Sequence, residues 1–358
     1  MTEFVEPSSK PDLRSYSLEE LSAFMSGLGQ PSFRARQLFR QVQKLAAPDF
    51  AAISDLPLAL RRQLEERACL CRPRQLARHI SQAGDTAKLL LELDDGQRIE
   101  MALMLYRRGQ SRDRATCCVS CQSGCAMGCR FCATGLFDSF RDLTAGEMVA
   151  QVQLADGLAR ELGFDGVSNV VYMGMGEPLS NLANVKRSIE LLNHEQGLNI
   201  GCRRITVSTC GLVPQIYQLA AWGRQIGLAI SLHAAEQGLR QQLMPVAAHW
   251  PLTELLAACE HYRQVTGRRV TAEYALMENI NDSPEAAQKL AALLTGRDIL
   301  VNIIPANPLP ERGIAAAKPE VCAAFCRTLE KAGLEVAVRE SRGRDIQAAC
   351  GQLRRRAD

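Results

Sequence analysis

Apolar positions follow two different periods along this chain. Up to about residue 70 they recur every three to four residues. Ser17-Leu-Glu-Glu20 has the pattern of a capping box and opens an amphipathic helix that runs to Met25. Gly27-Leu-Gly-Gln-Pro31 interrupts it, and Phe33-Arg-Ala-Arg-Gln-Leu-Phe-Arg40 restarts a helix with basic residues on its face. A third helix is predicted over residues 58–68, after the turn at Pro57. The period then shortens. Residues 88–93 and 98–105 are two apolar runs flanking Asp94-Asp-Gly96, a hairpin signal. From about residue 115, short apolar runs alternate with helical patterns. Strands are predicted over 115–120, 167–173, 204–208, 228–232, 270–276 and 300–304. Helices are predicted between them, over 144–162, 179–192, 214–222, 252–266 and 284–294. Such alternation argues for a parallel sheet with helical crossovers. Six units suit an α/β fold built as an open, partial (β/α)6 barrel, short of the eight that close a full one. A last strand is predicted over 334–338. The domains expected are a helical accessory module over 1–85, a β-hairpin linker over 86–114 and the barrel over 115–358.

Length and composition narrow the class. A chain of 358 residues can bury a large core, and one main domain with an appendage is the natural expectation. Fourteen cysteines would suit a disulfide scaffold only in a much smaller chain. The start, Met1-Thr-Glu-Phe-Val-Glu-Pro7, is acidic and polar, unlike a signal peptide. No apolar run approaches the length of a membrane span, so no membrane partner is expected. A cytoplasmic, reducing setting is expected, with thiols kept for metal and redox chemistry. The formal charge of +3 permits a nucleic-acid partner without requiring one. Basic residues gather at Arg34, Arg36 and Arg40 and again at Arg107, Arg108, Arg112 and Arg114. They read either as phosphate contacts or as a solvated charged face.

The chemistry starts at Gly124-Cys-Ala-Met-Gly-Cys-Arg-Phe-Cys-Ala-Thr-Gly135. A Cys-x3-Cys-x2-Cys triplet at Cys125, Cys129 and Cys132 supplies three thiolates to a four-iron cluster and leaves one iron open. This is the spacing by which radical S-adenosylmethionine (SAM) enzymes are recognised. Zinc is the alternative, but it prefers a closed set of four ligands, and no second pair follows. In barrels of this kind chemistry gathers at the C-terminal ends of the strands. Met173-Gly-Met-Gly-Glu-Pro178 falls there, with Gly174 and Gly176 able to bring backbone close to a ligand and Glu177 able to accept from an ammonium. So do Ser208, the segment Ser231-Leu232-His233, and Asn307, which suits either an adenine edge or a turn. Cys118 lies on the first predicted barrel strand, and Cys350 sits in a polar, glycine-flanked loop where a thiol is accessible. An unassigned cysteine is otherwise most often a small buried hydrophobe. That reading suits Cys69, Cys71, Cys202, Cys210, Cys259, Cys322 and Cys326, whereas Cys117 and Cys121 stay open.

Over nearly its whole length the chain resembles the RlmN/Cfr family of radical SAM RNA methyltransferases. The carrying elements are Phe33–Gln37, Arg114–Cys118, the cysteine run, Met173–Pro178, Ser208-Thr-Cys-Gly211, Ser231-Leu-His-Ala234, Asn302–Pro308, and Arg342-Gly through Ala349-Cys-Gly-Gln352. The resemblance implies a [4Fe-4S] cluster on Cys125, Cys129 and Cys132. It implies SAM contacts from Gly176, Glu177, Ser208, Ser231, Leu232, His233 and Asn307. It further implies that Cys350 carries the transferred methyl, that Cys118 resolves the covalent intermediate with a disulfide, and that Glu100 accepts the ring proton. From its sequence setting alone Glu100 reads as a solvent-facing strand residue. The helical N-terminal module would bind RNA.

The implied reaction methylates an adenine ring carbon, at C2 or in one branch at C8, using two SAM per turnover. The implied partners are 23S rRNA at the peptidyl-transferase loop, tRNA just 3′ of the anticodon, and an electron donor such as flavodoxin or ferredoxin; a monomer is expected. Such a base must leave its stack to be reached. A C8-methylating relative is the alternative within the enzyme class. A non-catalytic iron–sulfur RNA-binding module is the alternative outside it.

Overall fold

A computed structural model of the protein describes residues 10–107, 109, 113–136, 140–339 and 342–353. Arg108 and Arg112 of the basic cluster lie outside the described residues. In chain order the elements begin with three helices, α1 (Leu18–Gly27), α2 (Ser32–Gln43) and α3 (Leu58–Arg67). Four strands follow: β1 (Arg74–Ile80), β2 (Thr86–Glu92), β3 (Arg98–Tyr106) and β4 (Arg114–Cys118). Strand and helix then alternate through α4 (Ala145–Glu161), β5 (Asn169–Tyr172), α5 (Leu182–Asn193), β6 (Ile205–Thr209), α6 (Val213–Ala221) and β7 (Gly227–Ser231). Two helices, α7 (Gln237–Leu243) and α8 (Leu252–Thr266), lead to β8 (Val270–Leu276). The series ends with α9 (Pro284–Leu294), β9 (Ile299–Pro305), α10 (Pro319–Lys331) and β10 (Val336–Val338).

Local chemistry sets several of these boundaries. At α1, Ser17 Oγ accepts from Glu20 N (3.2 Å) while Glu20 Oε2 accepts from Ser17 N (2.7 Å), so the capping box is formed. Thr144 and Glu147 repeat the device at α4. The β2–β3 turn needs Gly96, whose φ is +78°. Three elements fall outside those the periodicity predicts. β1 is Arg-Gln-Leu-Ala-Arg-His-Ile, a largely exposed edge strand with no apolar alternation. α7 is short and glutamine-rich. α10 builds part of its buried face from Cys322 and Cys326 rather than from aliphatic residues.

All ten strands form one sheet, ordered β1 to β10 as they occur in the chain. β1–β4 pair antiparallel and β4–β10 pair parallel. The sheet is open, with β1 and β10 at its edges, and helices complete an α/β fold. The hairpin expected as a linker is continuous with this sheet, because β3 pairs with β4 from Ala102↔Cys118 to Tyr106↔Arg114. The core runs from the helical module through the sheet, with Phe39, Leu64, Val170, Ile205, Ile230 and Val301 all buried. A polar knot joins the module to α4. Arg14 is only 1% exposed, yet its guanidinium donates to Cys71 O at 2.7 Å, to Ala47 O at 3.0 Å and to Gln153 Oε1. Gln153 Nε2 in turn donates to Val42 O at 2.7 Å. A buried guanidinium satisfied by carbonyls of several segments fixes their relative placement.

Candidate active site

One large cavity opens at the C-terminal ends of the parallel strands. Cys125, Cys129 and Cys132 line one side of it. Gly176 and Glu177 from the turn after β5, Ser208 of β6, Ser231 and His233 around the end of β7, and Asn307 after β9 line the rest. Cys350 also reaches it. Leu232 is the exception among the expected contacts: its side chain is in the core, and its N–H donates to Glu273 O at 3.0 Å.

The cysteine loop is held from several sides. Arg130 N donates to Leu243 O at 2.9 Å and Cys132 N to Cys129 O at 3.2 Å. Ala133 N donates to Gly351 O at 2.8 Å, and Thr134 Oγ1 to Leu353 O at 3.1 Å. These two bonds pin the segment bearing Cys350 beside the cysteine triplet. Burial pushes the Cys125 thiol up to about 12 and raises Cys129 as well, each disfavoured further by neighbouring thiols.

The turn after β5 is packed in a way the sequence reading did not foresee. Gly174 and Gly176 were expected to admit a ligand to the backbone. Their missing side chains instead admit the loop after β4. A Cβ on Gly174 would sit 2.7 Å from Ser120 N, and one on Gly176 2.8 Å from Gln122 N. Gly176 also has φ +102°. Cys121 N and Gln122 N both donate to Met175 O, at 2.9 and 3.1 Å. The turn is thereby locked against the cysteine-loop base. Glu177 is buried, and its carboxylate accepts from Leu179 N (2.9 Å) and Cys210 N (2.8 Å). Burial raises its pKa, and these amide bonds oppose that rise. Cys210, grouped above with the structural thiols, lies beside this carboxylate and lines the cavity.

His233 is buried and neutral. Burial, with the Arg240 charge adding to it, depresses its pKa to about 3. Nδ1 accepts from Ala275 N at 2.9 Å, which assigns the ring proton to Nε2. Its ring meets Phe131 of the cysteine loop edge-on, 4.3 Å between centroids. Asn307 faces the C-terminal segment: Nδ2 donates to Cys350 O at 2.8 Å and Oδ1 accepts from Arg344 Nε at 3.2 Å.

A smaller cavity adjoins the first, between β3, β4 and the segment carrying Cys350. Cys118 and Cys350 both line it, with Ala102, Met104 and Tyr106. Both are free thiols, as are all fourteen cysteines, so the disulfide expected between them is not formed here. Burial is the main reason that the Cys118 thiol is pushed up to about 12, and Cys350 adds to it. Cys117 and Cys121 reach neither cavity; both are buried in the core. The sequence reading missed Arg339, which lines both cavities.

Glu100 is not solvent-facing. It is 1% exposed, and Oε1 pairs with Lys88 Nζ at 3.1 Å inside the β2–β3 hairpin. It shares a strand face with Ala102 and Met104 but does not line either cavity. Lys88→Met would take the ammonium from a buried ion pair, which costs about 3 kcal/mol in such pairs. Chemical denaturation should register that loss as a lower midpoint, largely restored by Lys88→Met with Glu100→Gln. An unchanged midpoint in the single variant would show that the pair does not hold the hairpin.

The residues suit the cofactors that the cysteine spacing indicates. Among the described residues, no three Cys, His, Asp or Glu side chains are placed to hold a single metal ion. Three thiols bordering a shared space fit a polynuclear group better than a lone zinc. Beside them stand the buried carboxylate of Glu177 and the hydroxyls of Ser208 and Ser231, donors and acceptors for an amino-acid ligand.

Comparison with known proteins agrees. A family model described as the Radical SAM superfamily matches residues 119–291, and one described as the ribosomal RNA large subunit methyltransferase N-terminal domain matches residues 11–70. A probable dual-specificity RNA methyltransferase RlmN from Moorella thermoacetica is 45% identical, covering 97% of this chain and 98% of its own. Its counterpart from Heliobacterium modesticaldum is also 45% identical, covering 98% of this chain and 91% of its own. The chain belongs to the RlmN family. The crystal structure of a radical SAM methyltransferase from Sphaerobacter thermophilus, 45% identical, superposes with a TM-score of 0.92 over 97% of this chain and 100% of that one. RlmN-family proteins are radical SAM RNA methyltransferases that use a four-iron, four-sulfur cluster and SAM. The match favours RlmN over the C8-methylating relative.

Proposed function

We propose that this protein methylates C2 of an adenosine in the peptidyl-transferase loop of 23S rRNA, and an adenosine just 3′ of the anticodon in tRNA. The observation that carries this reading is the meeting of Cys118 and Cys350 at one small cavity beside the cysteine loop. In the reading, Cys125, Cys129 and Cys132 hold the cluster, while Gly176, Glu177, Ser208, Ser231, the Leu232 backbone, His233 and Asn307 surround SAM. Cluster and SAM together supply a carbon-centred radical, which is what an electron-poor ring carbon requires.

The chain's own residues do the rest. The Cys350 thiolate displaces the methyl group from a first SAM, forming a sulfur–carbon bond while the sulfonium sulfur keeps the electron pair. That carbon would lose one hydrogen atom to the radical before joining the adenine, the odd electron of the adduct would return to the cluster, and Glu100 takes the ring proton. The Cys118 thiolate then attacks the Cys350 sulfur. A disulfide forms, and the pair from the broken carbon–sulfur bond leaves with the carbon, which is protonated to methyl. The buried Lys88 ammonium pairs with Glu100 at 3.1 Å and holds its carboxylate in place. Residues 1–85 present RNA-binding surface, including the exposed Arg36 and Arg40, beside the hairpin of 86–114 and the barrel of 115–358. Arg107 and Arg114 contribute less, since Arg107 pairs with Asp113 at 3.0 Å and Arg114 lies over the Tyr106 ring at 3.9 Å. The protein works as a cytoplasmic monomer with flavodoxin or ferredoxin as electron donor; no described helix is long and apolar enough to cross a membrane.

Nucleoside mass spectrometry tests the assignment. Anaerobic, cluster-loaded protein with SAM and reductant should convert adenosine in a 23S fragment and in tRNA to 2-methyladenosine. Appearance of 8-methyladenosine, or of no methylated adenosine, would overturn it.

A further inference from the structure

The residue after β10, Arg339, stands where the two cavities meet. Its backbone N–H donates to Ile303 O at 2.9 Å, which ties it to β9. Its side chain lines both cavities, as Cys350 does, and Nη1 lies 3.8 Å from Met173 Sδ. Glu273 and Cys350 line the larger cavity with it, and Cys118 and Cys350 line the smaller one. Glu273 is held separately by Asn302 Nδ2 at 2.9 Å. The nearby arginines are committed elsewhere. Arg342 Nη1 pairs with Asp85 Oδ2 at 2.7 Å, and Arg344 Nε donates to Asn307. Among the described residues, Arg339 is the arginine that lines both cavities.

We propose that Arg339 is a positioning residue for the two-cysteine reaction, a fixed cation at the junction of the cavities that stabilises the thiolate forms of Cys350 and Cys118. The inference rests on the function proposed above. Both displacement steps need a thiolate, since the thiol is a poor nucleophile. Burial works against ionising Cys118, so a nearby permanent charge is the compensating feature. A guanidinium suits the task because it stays protonated throughout. The electron balance of the resolving step is unaltered: Arg339 exchanges no proton or electron. The disulfide formed is returned to two thiols by a dithiol reductant.

The test reads thiolate availability directly. Anaerobic, cluster-loaded wild type, Arg339→Met and Arg339→Lys are treated with iodoacetamide at neutral pH, without SAM or RNA. Alkylation of the Cys350 peptide is followed by mass spectrometry, with the half-buried Cys69 as internal standard. Arg339→Met should slow Cys350 alkylation about tenfold, because a thiolate beside a fixed cation loses that partner, and Arg339→Lys should recover most of it. A purely structural role predicts the opposite sign, because a loosened segment exposes Cys350 and speeds its reaction. An unchanged or faster rate in Arg339→Met, or no recovery in Arg339→Lys, would overturn the proposal. Failure to find 2-methyladenosine would instead overturn the parent reading and leave these rates intact.

Discussion

Replacing Cys118 with alanine is expected to leave the protein covalently attached to RNA. Cys350 would still take up a methyl group, and that carbon would still be joined to the adenine. No thiol would then attack the Cys350 sulfur, and the conjugate would persist. Cys117 and Cys121 cannot substitute, because both are buried and neither reaches the cavity that Cys118 and Cys350 share. The variant lacking all three thiols should therefore trap RNA like the single one. Cys350→Ala and the double variant Cys118→Ala with Cys350→Ala should trap none. The observable is a nuclease-sensitive band of reduced mobility on a denaturing gel. Full turnover by Cys118→Ala, or a conjugate formed by Cys350→Ala, would refute the two-cysteine mechanism.

Cys129→Ala should abolish cluster assembly while leaving the fold in place. The cysteine loop is held by backbone hydrogen bonds, including Arg130 N to Leu243 O and Ala133 N to Gly351 O, none of which involves the thiol. Removing one of three thiolates deprives one iron of its protein ligand. Reconstituted wild type should hold about four iron per chain and cleave SAM to 5′-deoxyadenosine. The variant should retain wild-type far-UV circular dichroism, lose most of its iron and show no cleavage. The same holds for Cys125→Ala and Cys132→Ala. Wild-type cleavage by any of the three would remove that cysteine from the ligand set.

Much of this architecture is legible in the residues. The alternation beyond residue 115 anticipates strands β4 to β9, and β8 and α9 match to the residue because Val270–Leu276 and Pro284–Leu294 carry clear apolar periods and a proline start. The Ser17 and Glu20 pattern is realised as a capping box for a purely local reason. What escapes depends on tertiary context. β1 earns its place by pairing with β2, not by its own polar sequence. The burial of Glu100 follows from Lys88 on the neighbouring strand, and pairing across a hairpin register is not visible in a linear reading. Gly174 and Gly176 are noticeable as glycines, but only the structure shows that Ser120 and Gln122 are what they accommodate. Arg339 is one arginine in an arginine-rich stretch, and nothing in its neighbours separates it from Arg342 or Arg344.

The strand order has a further consequence, for how the molecule is made. β1 to β10 lie side by side in the order in which a ribosome would release them. No strand has to be inserted between two that are already paired. Each arrival finds a waiting edge, and from β5 onward the helix translated just before it is available to cover a face. Growth of this kind can proceed during translation, with early segments settling before later ones exist. Its hazard lies at the advancing edge, which offers unpaired backbone to any other nascent chain until the next strand covers it. Slow translation between two strands would therefore lengthen that exposure, and fast translation would shorten it.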